Sequence, residues 1–354
     1  MATDRPTLES VAAALGVSRQ TVSNAINRPD VVAPATREAV LRAVREAGYV
    51  PSRAARQLRT ARSRTLAIRM MPDFDGINGH ILEFFLHELA EQARRQGYRL
   101  TLFAATDEDD EIAAYEDMFA AGDIDGVVLT STHLGDRRIG WLLDRELPFV
   151  SFGRPWRTEQ DLPDSPFDWV DVDGAAGTYA VVRRLVEAGH ERLGYISWPV
   201  EPGVGGDRWQ GWRRAMAEFR PDTDVDAWTV ECPDDLARLG SVAAATLLGR
   251  GATALVCASD SLAIGASMAL LESPGRHAAV VGFDDTPVAR AVGLSSVSQP
   301  VAEAARTAVT LLLDRLAGRP QRRHVLLAPT PVFRDSALPP RLPHTHTIEE
   351  QEMP

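Results

Sequence analysis

Thr7-Leu8-Glu9-Ser10-Val11-Ala12-Ala13-Ala14-Leu15-Gly16-Val17-Ser18-Arg19-Gln20-Thr21-Val22-Ser23-Asn24 is the stretch that decides how this chain is built. Leu8, Val11, Ala12 and Leu15 fall at i, i+3, i+4 and i+7, the spacing of one apolar helix face, with Thr7 placed as its N-cap. Gly16 allows a sharp turn. Ser18 caps a second helix reaching about Asn27, with Val17, Val22 and Ile26 on its buried side. Arg19, Gln20, Ser23 and Asn24 then face outward. Two short helices joined by a glycine turn form a helix-turn-helix, whose second helix enters the major groove of DNA. Arg pairs bidentately with guanine, and Gln and Asn with adenine. An ordinary solvated helix face has the same polarity, so the second helix alone leaves both readings open.

Working outward, a third helix runs from about Pro34 to Ala47, stopped by Gly48, and brings Val40, Leu41 and Val44 to close a three-helix core. Residues 52–59 can form one more helix, too short and too polar to hold itself without a partner. Charge follows the same division. Net charge is −11, yet residues 1–65 carry eleven Arg against five carboxylates, a local +6 that leaves the remainder at −17. A basic head on an acidic body is the pattern of a chain in which only the head meets phosphates. The chain contains no lysine, which excludes a Walker-type phosphate loop.

Thr7 to Ala12, Gly16 to Asn24, Thr36-Arg37-Glu38 and Gly48-Tyr49-Val50-Pro51, in this order and spacing, resemble the headpiece of the lactose-repressor/galactose-repressor (LacI/GalR) family. The resemblance implies a sequence-specific DNA-binding transcriptional repressor, with Arg19, Gln20 and Asn24 reading bases and Thr7, Ser18, Thr21, Ser23 and Tyr49 touching the DNA backbone. It makes residues 52–59 a hinge helix that folds on operator DNA as a dimer. Leu58 would be the minor-groove wedge, and Ala55 the small residue that lets two hinges approach. Two positions depart from the family pattern: Ser52 stands where Asn is usual, and Ala33 where Ser usually caps the third helix.

From residue 64 the pattern changes to β-like runs over 65–70, 98–104, 126–130, 148–152, 192–197, 227–231, 252–258 and 278–283. Helical stretches lie between them, near 78–96, 109–121, 136–145, 174–189, 207–219, 234–249 and 260–272. This alternation predicts doubly wound parallel sheets. The resemblance extends here through Val170-Asp171-Val172-Asp173, Gly189 to Ile196, Asp207 to Gly211, Ala258-Ser259-Asp260 and Val281 to Asp285. It implies a two-lobed, periplasmic-binding-protein-like α/β sensor over 64–338, with the chain crossing between lobes near 160, 290 and 325. The full division is then an all-α helix-turn-helix headpiece (1–50), hinge and linker (51–63), sensor and dimerisation domain (64–338), and a tail (339–354) whose Pro-rich, acidic composition points to disorder.

A ligand site belongs in the cleft at the strand ends. By resemblance Arg208, Ser259, Asp284 and Gln299 line it, and the expected effector is a small sugar. Phe74, Trp198 and Trp209 are the aromatic candidates, each equally well explained by ordinary packing. Asp260 and Asp285 read as capping and loop residues, and Gly174 stands where Asn is frequent. Helix 300–317 carries small apolar residues suited either to lobe packing or to a dimer face.

Several other signals are set aside. Gly203-Val204-Gly205-Gly206 fails the dinucleotide pattern at Arg208 and reads as a cleft loop. His344 and His346 lie in the tail, and a helix-end role suffices for His190. Cys232 and Cys257 lack metal-ligand spacing and read as buried free thiols of a reducing compartment. No metal, cofactor or catalytic motif is expected, nor any membrane segment or signal peptide. The expected partners are pseudo-palindromic double-stranded DNA, a sugar effector and a second copy of the chain, in the cytoplasm. A sugar receptor with a vestigial headpiece and a sugar-processing enzyme are the alternatives.

Overall fold

A computed structural model describes residues 6–49, 62–70, 79–156, 165–319 and 323–337. The chain divides into two compact units, Met1–Ser63 and Arg64–Pro354.

In the first unit, helix α1 (Leu8–Leu15) opens on a capping box in which the Thr7 side chain accepts from the Ser10 N–H at 3.2 Å and the Thr7 N–H donates to Ser10 Oγ at 2.9 Å. Gly16 ends it at φ 64°, the left-handed position where a Cβ would be strained. Ser18 caps α2 (Arg19–Asn27) by accepting from the Thr21 N–H at 3.0 Å. Helix α3 (Pro34–Glu46) begins behind Ala33 with no side-chain cap, Pro34 occupying its first turn. Val11, Ala12, Val22, Ala25 and Val40 form the core, with Ile26 and Val44 only partly buried against it.

The second unit holds two parallel sheets. The first has the order β11-β5-β4-β3-β1-β2, from β1 (Thr65–Met70), β2 (Arg99–Ala104), β3 (Gly126–Leu129), β4 (Phe149–Phe152), β5 (Trp169–Val172) and β11 (His324–Leu327). Helices α4 (His80–Arg95), α5 (Glu108–Ala120), α6 (Arg137–Asp144) and α12 (Val301–Leu316) cover it. The second has the order β7-β6-β8-β9, from β6 (Leu193–Ser197), β7 (Thr229–Glu231), β8 (Ala254–Cys257) and β9 (Ala279–Val281). It is packed by α7 (Gly174–Glu187), α8 (Val204–Phe219), α9 (Ala237–Gly249) and α10 (Asp260–Leu271). A short helix, α11 (Pro287–Ala291), follows β9. β10 (Ser296–Ser298) and β12 (Thr330–Val332) form a separate antiparallel pair. Among the described residues no helix is long and apolar enough to cross a membrane.

All eight strands expected from the sequence form. The first two lobe crossings lie further along the chain than 160 and 290, while the third falls close to 325. The chain leaves the first sheet after β5, at Asp173, because the 169–172 run completes that sheet beside β4. It returns between β10 and α12, and crosses once more between β11 and β12. Helix α12 serves the lobe itself: Val301, Ala304, Ala305, Ala308, Leu311 and Leu312 are buried in the first lobe's core beside Phe85 and Leu89 of α4.

Close helix crossings depend on glycine. A Cβ on Gly211 of α8 would stand on the carbonyl oxygen of Ala175 in α7, and one on Gly265 of α10 would meet that of Ala237 in α9. Overpacking of this kind costs about 1–3 kcal/mol, more where backbone must yield. Gly211→Ala is therefore expected to lower the body's denaturation midpoint by several degrees and to loosen α8; an unchanged midpoint would contradict the packing.

Candidate functional site

The carboxyl ends of both sheets face one cleft of about 210 Å³, as strand-end geometry in α/β folds dictates. Ser131 and Thr132 follow β3, Gly153 follows β4, and Asp171 and Val172 are the last residues of β5; Trp198 follows β6, and Phe283 and Asp284 follow β9.

The second lobe contributes Arg208, near the start of α8 and 4% exposed. Its guanidinium lies over the Phe283 ring at 3.8 Å and the Trp198 ring at 5.0 Å. One Nη donates to the carbonyl of Ala258, the other to Asp284 Oδ1 at 3.1 Å. Gln299 Nε2 donates to the same carboxylate oxygen at 2.7 Å. Asp284 is held at φ 110°, rare for a residue with a Cβ, by its N–H bond to the Val297 carbonyl at 2.9 Å. Burial raises its pKa above the ordinary carboxylate range, against the pull of Arg208 and Gln299.

The first lobe contributes Arg154. Its Nε donates to Asp171 Oδ2 at 2.6 Å, and its terminal nitrogens reach both oxygens of Asp207 at 3.3 Å. Since Asp207 sits in the first turn of α8, this ion pair joins the lobes beside Arg208. Trp156 stands at φ 45°, its indole N–H donating to Thr132 Oγ1 at 3.2 Å, while Thr132 donates to the Arg154 carbonyl at 2.9 Å. Gly153 is required here, because a Cβ would collide with the Thr132 hydroxyl.

Two of the family models match the chain, and both lie on these units. "Bacterial regulatory proteins, lacI family" matches residues 7–52, and "Periplasmic binding protein-like domain" matches 182–337. The HTH-type transcriptional regulator CelR of Thermobifida fusca is 34% identical over 325 residues, 89% of this chain and 93% of that protein. The chain belongs to the LacI family. This LacI-family chain is accordingly a helix-turn-helix transcriptional regulator that binds DNA. A solved structure described as a CelR–cellobiose complex shares 32% identity and a TM-score of 0.67, covering 94% of this chain and all of that one. The lac repressor dimer bound to operator and an anti-inducer, 24% identical, has the same fold at a TM-score of 0.80, covering 95% and 100%.

On this LacI-family frame the residues singled out by sequence fall in different places. Arg208, Asp284, Gln299 and Trp198 all line the cleft. Ser259 does not: it is 1% exposed, caps α10 by accepting from the Leu262 N–H at 3.1 Å, and donates to Asp235. Trp209 points away from the cleft lining and stacks under Arg213 at 4.7 Å, because it lies one residue further around α8 than Arg208. Phe74, Ala55 and Leu58 lie outside the described residues. Asp260 accepts from the Thr286 N–H and Ser296 Oγ at 2.7 and 2.5 Å, so it ties a loop down and Ser259 does the capping. Asp285 pairs with Arg334 at 2.7 Å. The 203–206 glycines are no loop: Val204, Gly205 and Gly206 form the first turn of α8, packed too closely on the carbonyls of Pro199 and Glu201 for side chains.

The sequence reading missed Arg154, Asp171, Asp207, Trp156 and Thr132. Gly153-Arg154-Pro155-Trp156 directly after a strand was the available signal, since a strand's carboxyl end is where ligand residues gather.

In the headpiece, Arg19 makes an exposed ion pair with Glu9 at 3.1 Å and Gln20 Nε2 donates to Asn24 Oδ1 at 3.0 Å. Thr7 and Ser18 are occupied as caps, Thr21 Oγ1 lies 2.9 Å from Ser18 Oγ, and the Ser23 carbonyl accepts from Asn27. Tyr49 packs half-buried on the headpiece core.

Three buried carboxyls of the second lobe give a pH signature. Burial pushes Asp207 and Asp235 up to about 6 and Asp260 to about 7. Unfolded, each titrates at about 3.9, so between these values the folded chain holds protons that the unfolded chain has released. Their contribution is fully present below about pH 4 and is lost as pH rises through 6–7. His190, lowered by burial, works in the opposite sense, one group against these three and Asp284, which burial also raises. The urea midpoint should therefore be higher at about pH 5.5 than at about pH 7.5; a midpoint rising over that interval would contradict these assignments.

Proposed function

We propose that this chain is a homodimeric repressor that binds a pseudo-palindromic operator with one headpiece per half-site and responds to a sugar held in the interlobe cleft. The reading is carried by one observation: a single chain, aligned nearly end to end with transcriptional regulators, joins an outward Arg19-Gln20-Asn24 helix face to a polar, aromatic-walled cleft. Arg19, Gln20 and Asn24 read bases. Thr7, Ser18, Thr21, Ser23 and Tyr49 contact the backbone and set register without specifying sequence. Residues 51–63 serve as hinge and linker, with Leu58 as wedge and Ala55 at the hinge contact.

In the cleft, Arg208, Asp284 and Gln299 bind sugar hydroxyls and Trp198 offers a stacking face. The complex of a related regulator with cellobiose supports a sugar as effector. The ligand acts by favouring one lobe arrangement over another, a difference that the hinge passes to the headpiece. The protein works by binding rather than catalysis, on the chromosome in the cytoplasm.

A gel-shift titration of the full chain on DNA from its own upstream region tests this. Retardation of one fragment at salt concentrations where random DNA stays free is expected; equal retardation of all fragments would overturn it.

A further inference from the structure

Charge is distributed in the cleft in a way that selects the ligand's chemistry. Among the described residues lining it are three carboxylates, Asp171, Asp207 and Asp284, and one guanidinium, Arg208; a second guanidinium, Arg154, is bonded to Asp171 and Asp207 without itself lining the cleft. Both cations are already neutralised by carboxylates. Arg154 spends Nε on Asp171 and its terminal nitrogens on Asp207 and the Val172 carbonyl. Arg208 gives its terminal nitrogens to Asp284 and Ala258 and lies against Phe283 and Trp198, which leaves its Nε without a partner and able to donate to a sugar hydroxyl, while its charge is matched by Asp284. A phosphate or carboxylate entering here would meet neutralised arginines and a net negative surround. It would have to strip a buried carboxylate of its partner, which leaves an uncompensated charge.

Beside these charges the cleft sets one aromatic ring from each lobe, each with a guanidinium over one face, Arg208 at 5.0 Å from Trp198 and Arg154 at 4.9 Å from Trp156. Trp198 comes from the second lobe. Trp156 comes from the first, fixed in a backbone conformation that residues with a Cβ rarely adopt. Strain held in place at a cleft wall fits a clamp for a ligand face.

Building on the sugar reading above, we propose that the effector is an uncharged sugar, gripped through its hydroxyls and stacked on Trp156, and that phosphorylated and acidic sugars are excluded. The exclusion arises from the interlobe pair Arg154–Asp207, which occupies the cation that an anionic sugar would need.

The test is thermal shift and calorimetry on the full-length protein. Glucose, galactose, cellobiose, maltose and lactose are compared with the anions glucose 6-phosphate and galacturonate. Stabilisation confined to neutral members is expected. A charged sugar that binds as tightly as its neutral parent would overturn the proposal and leave the sugar reading standing; no shift with any member would remove both.

Two variants sharpen the comparison. Asp207→Asn releases Arg154 from one partner and should narrow the preference for the neutral over the phosphorylated sugar by at least tenfold; an unchanged ratio would overturn the electrostatic account. Trp156→Leu should raise the Kd of the best neutral sugar at least tenfold, and an unaltered Kd would remove Trp156 as the platform. The wild-type comparison needs no substitution, so it decides the matter even where a variant folds poorly.

Discussion

Arg208→Ala should abolish the response to sugar and destabilise the body, while leaving the headpiece's own fold untouched. Arg208 is buried and its removal strands Asp284, whose side chain is 16% exposed, with Gln299 as its remaining side-chain partner. Breaking a buried pair by deleting one member costs about 3–5 kcal/mol. Protonation of Asp284, already favoured by burial, recovers part of that. A net loss of about 3 kcal/mol lowers the melting temperature by roughly 5–10 °C in a domain of this size. The second consequence is independent of stability. The sugar loses a donor in the cleft, so its stabilising shift disappears at concentrations that saturate the wild type. Since Met1–Ser63 is a compact unit of its own, binding to random DNA should persist. A variant with the full ligand shift would contradict the placement of Arg208 in the effector site.

Arg19→Ala should relax discrimination at one base pair per half-site, at a cost of about 1–3 kcal/mol per headpiece and about double that in a dimer. Its ion pair with Glu9 does not stand in the way: both side chains are 68% exposed, and such a pair contributes at most about 1 kcal/mol. Gln20 and Asn24 should behave differently from Arg19, because they are hydrogen-bonded to each other. Their double variant should lose less than the sum of the singles. Competition binding on operators changed one base pair at a time measures both effects. Equal losses on operator and random DNA would reassign Arg19 to phosphate contact.

The headpiece was legible because local chemistry fixes it: caps at Thr7 and Ser18, the left-handed Gly16, and apolar residues at helical spacing all agree. Eight strands, β1–β4 and β6–β9, were legible as apolar runs. β5 was not read as a strand, since Asp171 interrupts its apolar pattern and its ion-pair partner, Arg154, lies seventeen residues earlier. β10 was hidden for a related reason. Its run Ser296-Val297-Ser298 is mostly polar, yet Ser296 is fully buried and donates to Asp260.

The site divides the same way. Arg208 and Asp284 were reached through motif resemblance. Asp207, adjacent to Arg208, was passed over because its partner, Arg154, belongs to the other lobe. The same resemblance places Ser259 in the cleft, but the need for a helix cap at α10 governs that position instead. Contacts made across sequence separations of this kind carry no periodic signal.

The central claim is that a sugar in the cleft controls DNA binding by the headpiece. Fluorescence anisotropy of the full-length protein on its operator, titrated with the sugar that gives the largest thermal shift, tests it most directly. The account predicts that operator affinity changes by about 5- to 150-fold, the usual range for coupled sites, and that Arg208→Ala removes this change. An operator affinity independent of a sugar that demonstrably saturates the cleft would contradict it.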